Sequence, residues 1–561
     1  MNTLYRTADA LFAALLINAL LVFGNVWPTP WPQFRLAAAP ELALLLVVLA
    51  AWRWYRDPLK GWAIAAVSAG LVLLVVGRYA DVTAPALYGR PVNLYWDLPH
   101  VANVTGMLVR AAPVWIAGLA FTVIAAALLA LFLLLRAALS ALDRGLGLRP
   151  VRAGALAVAA LVLAGWLWQL RTPPAENEGY IAKPVTATWV SQLMQLRRAL
   201  AAVNARDLPP SPAFEASLSA LGRRDVMIVF LESYGRATDQ RPELAAEIGA
   251  PRAQLEEAAH SAGLAAVSAY VTSPTFGGNS WLAHLSLLSG IEVRDPQRYQ
   301  LLMTQQRPSL GTPFAAAGYR RVGLLPGMKL DWPEGAFYGY DTILDERRLD
   351  YRGPEFGWWV IPDQYSLARF SLLELEPRER APVYAVFANV NTHLPFVPLP
   401  PLQADWQRVL TAMPFDAAPL ANAMARQPNW TDMTQDYADS LRYTFASLSG
   451  FVRLRAKRAP VLVILGDHQA AASVSGAHAS WDVPVHVLAP PGPILEALER
   501  EGFVAGMQPR GDALMPMHQL APRLVEAFSA PGSAPAQPAG SSRSSAPSSS
   551  SVMTYSKPSG P

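Results

Sequence analysis

The sequence predicts an N-terminal five-helix transmembrane bundle followed by an α/β domain whose mostly parallel sheet carries helices on both faces. Three observations carry this expectation. Five apolar stretches fall in the first third of the 561 residues, at about 8–26, 41–54, 61–76, 112–135 and 153–170. From about 225 to 528, short apolar runs alternate with helical stretches. The whole chain is 52% hydrophobic and only 16% charged, with mean hydropathy +0.21. That balance is too apolar for an ordinary soluble chain of this length.

A helix that crosses a bilayer needs about 20 apolar residues, within a range near 17–25. The first and fourth stretches meet this alone. The other three are shorter or have charged flanks, but they are rich in Leu, Val and Ala and carry Trp or Tyr at their ends. A cleaved signal peptide is the rival reading of the first stretch; its long apolar core and the absence of a small-x-small site argue against it. Arg53, Arg56 and Lys60 lie between the second and third stretches, and Arg136, Arg144, Arg149 and Arg152 between the fourth and fifth. The positive-inside rule makes these loops cytoplasmic. Five spans then carry everything after Arg171 across the membrane, and a Gram-negative inner membrane with a periplasmic domain is the expected setting.

The spans end the first domain at 171. A linker with an amphipathic helix occupies 172–224, with Trp189, Leu193 and Leu196 opposite Arg197 and Arg198. That helix either lies on the membrane surface or braces the next domain. The α/β domain runs over 225–528, with strands expected at 226–231, 265–271, 321–325, 383–390, 461–465 and 483–488. Alternation of such strands with helices implies a parallel sheet buried on both sides. A Ser/Pro/Ala/Gly-rich tail, 529–561, is expected to be disordered. The chain has no cysteine, which excludes disulfides, thiolate metal sites and a Cys nucleophile. Its net charge of +4 gathers beside apolar segments, so it sets membrane topology and no nucleic-acid partner is expected.

Polar groups with chemical capacity sit where strands end. Gly466-Asp467-His468 follows the run Val461–Leu465 and places a carboxylate beside an imidazole. Glu232 follows Phe230-Leu231 directly; a carboxylate there is either paired, metal-bound or the cap of a strand-to-helix turn. His393 follows another strand and either faces a substrate or packs on Phe396. In Gly277-Gly278-Asn279-Ser280, a helix begins at Asn279 or Ser280. Ser280 is either a helix cap or a nucleophile placed where free backbone N–H groups favour an oxyanion. His284, one turn later, points either toward that serine or into the core. Together Glu232, Asp467 and His468 offer oxygen and nitrogen ligands for one divalent cation, with Mn or Zn expected. Such a cation lowers the pKa of the Ser280 hydroxyl. Neither a Gly-x-Ser-x-Gly elbow nor a Walker-type loop occurs, which leaves metal-assisted attack on a phosphate or sulfate ester as the reaction class.

Four stretches together resemble the alkaline phosphatase superfamily: Val229-Phe230-Leu231-Glu232-Ser233, Gly277-Gly278-Asn279-Ser280, Asn391-Thr392-His393-Leu394-Pro395-Phe396 and Gly466-Asp467-His468. The resemblance is to its sulfatase-like membrane branch of lipoteichoic acid synthases, phosphoglycerol transferases and phosphoethanolamine transferases. It implies Glu232, Ser280, Asp467 and His468 as metal ligands, Ser280 and His393 as catalytic residues, and Trp332, His284, His478 and Asp363 as substrate-binding residues. It also implies a phospholipid donor, a glycan or lipid acceptor, and a covalent phosphoserine. Two alternatives stand beside this transfer reading. One is a hydrolase of the same superfamily, acting on phosphodiesters or sulfuric esters. The other is a non-catalytic membrane partner of a cell-envelope polysaccharide system. Thr272-Ser273-Pro274-Thr275-Phe276 lacks both the convertible residue and the Arg of a formylglycine motif.

Overall fold

The computed structural model describes residues 2–27, 29–88, 92–93, 114–172, 179–202, 208–329, 332–357, 360–429 and 432–531. Nearly all of the Ser/Pro-rich tail lies outside them.

Among the described residues, five helices form the N-terminal bundle: α1 (Asn2–Val22), α2 (Pro40–Tyr55), α3 (Gly61–Tyr88), α4 (Val114–Leu146) and α5 (Arg149–Arg171). Four of these, all but α2, are long and apolar enough to cross a membrane, where the sequence predicts five. The difference lies in α2, whose 16 residues reach only about 24 Å at 1.5 Å per residue, short of the ~30 Å hydrocarbon core. It nevertheless runs between the same two ends as its neighbours. α1 packs on α4 and α2 on α5, with Gly145 of α4 set against Ala10 of α1 so that the backbones approach closely.

The basic loops meet at one end of this bundle. Arg152 Nη1 donates to the Arg53 carbonyl at 3.1 Å, Arg53 stands 3.7 Å from Asp143, and the Leu59 N–H donates to Asp143 at 3.2 Å. The opposite end faces the rest of the chain. There Ala38 bridges to Ile181, and the Thr186 N–H donates to Glu41 at 3.1 Å. A short hairpin, β1 (Gly24–Asn25) with β2 (Pro32–Gln33), closes the α1–α2 connection at that end. α6 (Val185–Ala202) packs on α3, with the Trp189 indole over Gly77. The amphipathic helix therefore braces the bundle.

The α/β domain is built on nine strands: β3 (Val226–Leu231), β4 (Ala265–Thr272), β5 (Arg320–Leu324), β6 (Thr342–Leu344), β7 (Val383–Ala388), β8 (Val461–Gly466), β9 (Asp482–Ala489), β10 (Val504–Ala505) and β11 (Met515–Pro516). Their order is β10–β4–β9–β8–β3–β7–β5–β6, with β11 beside β4. The central run from β8 to β6 is parallel, whereas β9 pairs antiparallel with both β8 and β4. Every residue of β3 and β8 is buried, as a strand covered on both faces requires. Val226, Ile228 and Phe230 enter one hydrophobic cluster and Met227, Val229 and Leu231 the other. The first cluster contains Leu282 and Leu285 of α8 (Ser280–Ser289). The second contains Leu244 and Ile248 of α7 (Pro242–Ser261), together with residues of two further helices, α9 (Asp363–Phe370) and α10 (Thr434–Leu454).

Register decides what emerges at the carboxyl edge. β3 and β8 pair in parallel with Leu231 opposite Gly466, so the next residues, Glu232 and Asp467, leave the sheet side by side. β7 pairs on the other side of β3 with Ala388 opposite Phe230, which brings Asn389 beside Leu231, one residue before Glu232. Gly466 has no room for a side chain, because a Cβ there would overlap the Tyr234 carbonyl. Gly466→Ala should therefore destabilise the full chain by about 3 kcal/mol through overpacking against backbone. Thermal unfolding in detergent measures this, and an unchanged midpoint would show that the edge tolerates a Cβ.

Candidate metal centre

Four side chains converge at the end of β3 and β8. Ser280 Oγ donates to Glu232 Oε2 at 2.6 Å and lies 3.1 Å from His468 Nε2. His468 Nε2 is 3.2 Å from Glu232 Oε1. Ligand atoms of Glu232, Asp467 and His468 all lie within 4.8 Å of one another. All three residues are buried.

Local backbone structure explains each placement. The Ser233 N–H donates to Asp467 Oδ1 at 2.9 Å, and the His468 N–H donates to the same oxygen at 2.7 Å. His468 Nδ1 lies 2.9 Å from the Gln469 carbonyl, which directs Nε2 inward, as metal-binding imidazoles require of their second nitrogen. Gly277 and Gly278 have φ of 63° and 139°, and Gly277 N–H donates to the Gln469 carbonyl at 3.0 Å. These glycines turn the chain sharply into α8. Asn279 follows at φ 63° without a side-chain capping bond. Neither Asn279 nor Ser280 is spent as a cap, and the Ser280 hydroxyl faces the carboxylate.

Electrostatics are those of a site that demands positive charge. Burial alone would push the Glu232 carboxyl up, but the charges of His468 and His393 and hydrogen bonds from His468 hold it well below the usual carboxylate range. Burial, then the Glu232 charge, pushes Asp467 up. Burial lowers His468, and the charges of Asp467 and Glu232 more than reverse it, raising the imidazole to about 9. Two carboxylates thus favour positive charge at the point where His468 Nε2 stands. Asp467 Oδ2 and His284 Nε2 are buried atoms without a hydrogen-bond partner, and they face each other at 3.7 Å. An orphaned carboxylate oxygen beside two further oxygen ligands and an imidazole nitrogen fits a borderline-hard divalent cation.

The other residues singled out from sequence lie at different distances from this centre. His284 stacks its ring on Phe230 with centroids 4.1 Å apart and points at Asp467 rather than at the serine. The charge of His393 acts on Glu232, and its Nδ1 lies 2.8 Å from the Leu394 carbonyl. Trp332 belongs to an aromatic shelf: it packs on Tyr338 at 5.3 Å. Tyr299, whose helix Pro296–Met303 packs on the Pro333–Tyr338 turn, meets Trp281 of α8 edge-on at 4.5 Å. His478 lies in a loop that lines a cavity toward the bundle.

Asp363 is placed differently from the substrate-binding role expected of it. It is fully buried, and its oxygens accept from the Val390 N–H at 2.9 Å, Asn389 Nδ2 at 3.0 Å and Thr444 Oγ1 at 3.1 Å. Burial pushes its carboxyl up, and those hydrogen bonds oppose the rise. A carboxylate so enclosed holds one backbone N–H and two side chains of the protein. Through Asn389, whose Oδ1 accepts the Glu232 N–H at 2.7 Å, it fixes where Glu232 stands. Asn389 itself went unassigned from sequence; the signal was an Asn directly after an apolar strand, the same position that marks Glu232 and Asp467. If the ligand set is as described, the purified full chain should bind about one divalent ion. Asp467→Asn and Glu232→Gln should weaken binding roughly tenfold or more, as read by elemental analysis and calorimetry. Unchanged metal content in both variants would remove these carboxylates from the ligand set.

No family model matches the chain, and no curated protein matches its sequence. Solved structures of similar fold do exist. The lipooligosaccharide phosphoethanolamine transferase A of Neisseria meningitidis is 13% identical with a TM-score of 0.41, over 80% of this chain and 81% of that one. A protein in the alkaline phosphatase superfamily from Vibrio parahaemolyticus is 16% identical with a TM-score of 0.36, over 60% and 75%. A Streptococcus pyogenes phosphoglycerol transferase, solved with sn-glycerol-1-phosphate, is 10% identical with a TM-score of 0.35, over 58% and 84%. Likeness at this level carries no residue roles with it. In fold, the chain is similar to solved structures that include a protein in the alkaline phosphatase superfamily and an integral membrane phosphoethanolamine transferase.

Proposed function

We propose that this chain is a metal-dependent membrane enzyme that transfers a phospholipid-derived phospho-headgroup, of phosphoglycerol or phosphoethanolamine type, to a glycan or lipid hydroxyl. The observation that carries the reading is the Ser280 hydroxyl held at 2.6 Å from Glu232 and 3.1 Å from His468, beside the orphaned oxygen of Asp467. A Mn- or Zn-type cation held by Glu232, Ser280, Asp467 and His468 would supply the positive charge that makes the serine oxygen nucleophilic near neutral pH.

In the first half-reaction Ser280 Oγ bonds to phosphorus as the ester bond to diacylglycerol breaks. The serine proton is given up to water through Glu232, and His393 protonates the departing diacylglycerol oxygen. In the second, His393 takes the proton of the acceptor hydroxyl as that oxygen displaces Ser280 from phosphorus, the reverse of its first role, and the released Ser280 oxygen regains its proton from water. Backbone N–H groups at the start of α8 and the dipole of that helix favour the phosphate oxygens throughout. The α/β domain lies at the bundle end opposite the basic loops, which supports an inner-membrane protein with its site on the periplasmic side. A lipid donor reaches such a site from the outer leaflet.

The test is incubation of the full chain in vesicles with headgroup-labelled phosphatidylglycerol or phosphatidylethanolamine. Diacylglycerol should appear together with label on Ser280, and Ser280→Ala should lower the rate by about 10³-fold or more. Adding a glycan acceptor separates transfer from hydrolysis, since water alone then receives the group in a hydrolase. Diacylglycerol release undiminished by Ser280→Ala would defeat the covalent route.

A further inference from the structure

α6 (Val185–Ala202) presents three different surfaces around its axis. Successive residues of an α-helix advance by about 100°, which puts Val185, Trp189, Gln192 and Leu196 along one arc. That arc meets the bundle. Val185 is buried, the Trp189 indole lies over Gly77 of α3, and Gln192 Nε2 donates to the Val92 carbonyl at 2.7 Å. Thr188, at the edge of the same arc, donates to Asp81 Oδ2 at 2.5 Å. A second arc holds Ser191 and Gln195, with Gln195 Nε2 donating to Ser191 Oγ at 3.4 Å. The third holds Val190, Leu193 and Met194, which are 51%, 66% and 53% exposed, with the exposed Arg197 toward its C-terminal end. A helix that only braced the bundle would need one apolar arc; α6 has two, and the second stays open.

The height of α6 along the bundle says what covers that open arc. α3 begins at Gly61, beside the basic loops. It meets α6 at Gly77 and Asp81, about 24 Å and about 30 Å further along at 1.5 Å per residue. The hydrocarbon core is ~30 Å thick, so α6 crosses α3 at the edge of that core, opposite the basic loops. Glu41, in the first turn of α2, accepts the Thr186 N–H and fixes the start of α6 at the same end. Around Gly77, α3 itself shows Leu73, Val76 and Tyr79 to the outside, so the open arc of α6 continues the lipid-facing surface of the spans. An exposed apolar arc accompanied by arginine is the composition of helices that lie in the interfacial plane. There the methylene stem of Arg197 runs along apolar surface while its guanidinium stays among phosphates.

We propose that α6 is an interfacial helix, bound to the bundle along one side, immersed in the bilayer boundary along Val190, Leu193 and Met194, and open to water at Ser191. Its partner is the lipid surface itself, met at the level where acyl chains give way to headgroups. α6 leads through 203–224 into β3 at Val226, so this contact, together with the bundle, sets how the α/β domain stands above the membrane. The inference uses only the bundle and α6 and does not rest on the proposed reaction.

The chain contains no cysteine, so a single introduced cysteine carries a nitroxide without background. Val190→Cys, Leu193→Cys and Met194→Cys report the open apolar arc, and Ser191→Cys the polar one. Leu129→Cys, exposed in α4, calibrates lipid, and Gln300→Cys, exposed on the α/β domain, calibrates water. Each is made in the full chain in phosphatidylcholine liposomes, a lipid outside the proposed donors, so that turnover does not enter. On the apolar arc, the ratio of collision with oxygen to collision with a water-soluble nickel chelate should stand about tenfold above that at Ser191, because hydrocarbon excludes polar solutes. Adding Leu193→Asp should bring the label at Val190 toward the Gln300 value, while the label at Leu129 keeps its own. Ratios at Val190, Leu193 and Met194 equal to the water value would overturn the inference, since α6 would then stand clear of the bilayer. Labels shielded from both oxygen and nickel would overturn it as well, because a protein surface would then cover the arc. Neither result bears on the Ser280 route, which the labelled-lipid assay reads separately.

Discussion

The in-register parallel pairing of β3 with β8 is the constraint on which the candidate centre depends. With Leu231 opposite Gly466, the next residue of each strand is a carboxylate, and both leave the sheet at one level. Two buried carboxylates repel, and they are tolerated only where positive charge and N–H donors meet them. Here His468 and the backbone N–H groups of Ser233 and His468 do so. A shift of one residue in that register would turn one carboxylate to the opposite face of the sheet and dissolve the site.

Around that pair, the rest of the domain acts as positioning structure. Asp363 and Thr444 come from α9 and α10 and hold Asn389, which in turn accepts the N–H of Glu232. The chain of contacts reaches from the hydrophobic cluster behind the sheet to Glu232 and, through it, to Ser280. Groups of this kind carry no chemistry themselves, yet they set the sub-ångström placement that metal binding and attack require. The fully buried, fully bonded state of Asp363 follows from this task.

The bundle and the domain are likewise parts of one device. Basic residues gather at one end, and the other end carries the hairpin, the bracing helix α6 and a cavity that Arg35 and Arg78 help to line. The loop from Phe276 to Ser280 has one end on the cavity wall and the other at the metal centre.

Composition and periodicity by themselves determined the membrane portion, the positions of its apolar helices, and the existence of an α/β domain with buried central strands. Those properties follow from local hydropathy, which needs no partner to be read. The acids and the histidine at strand ends were legible for the same reason, since a charge straight after four apolar residues has to be explained. What only the tertiary structure decided were relations between distant segments. The 16-residue α2, the antiparallel β9 and β4, and the withdrawal of Asp363 behind the site each depend on what packs against them. The turn of His284 toward Asp467, and the meeting of Arg35 with Arg78 in one cavity, are of the same kind. A sequence shows which groups a chain owns; their distances arise from strand register and helix packing, which are set by contacts made across hundreds of residues.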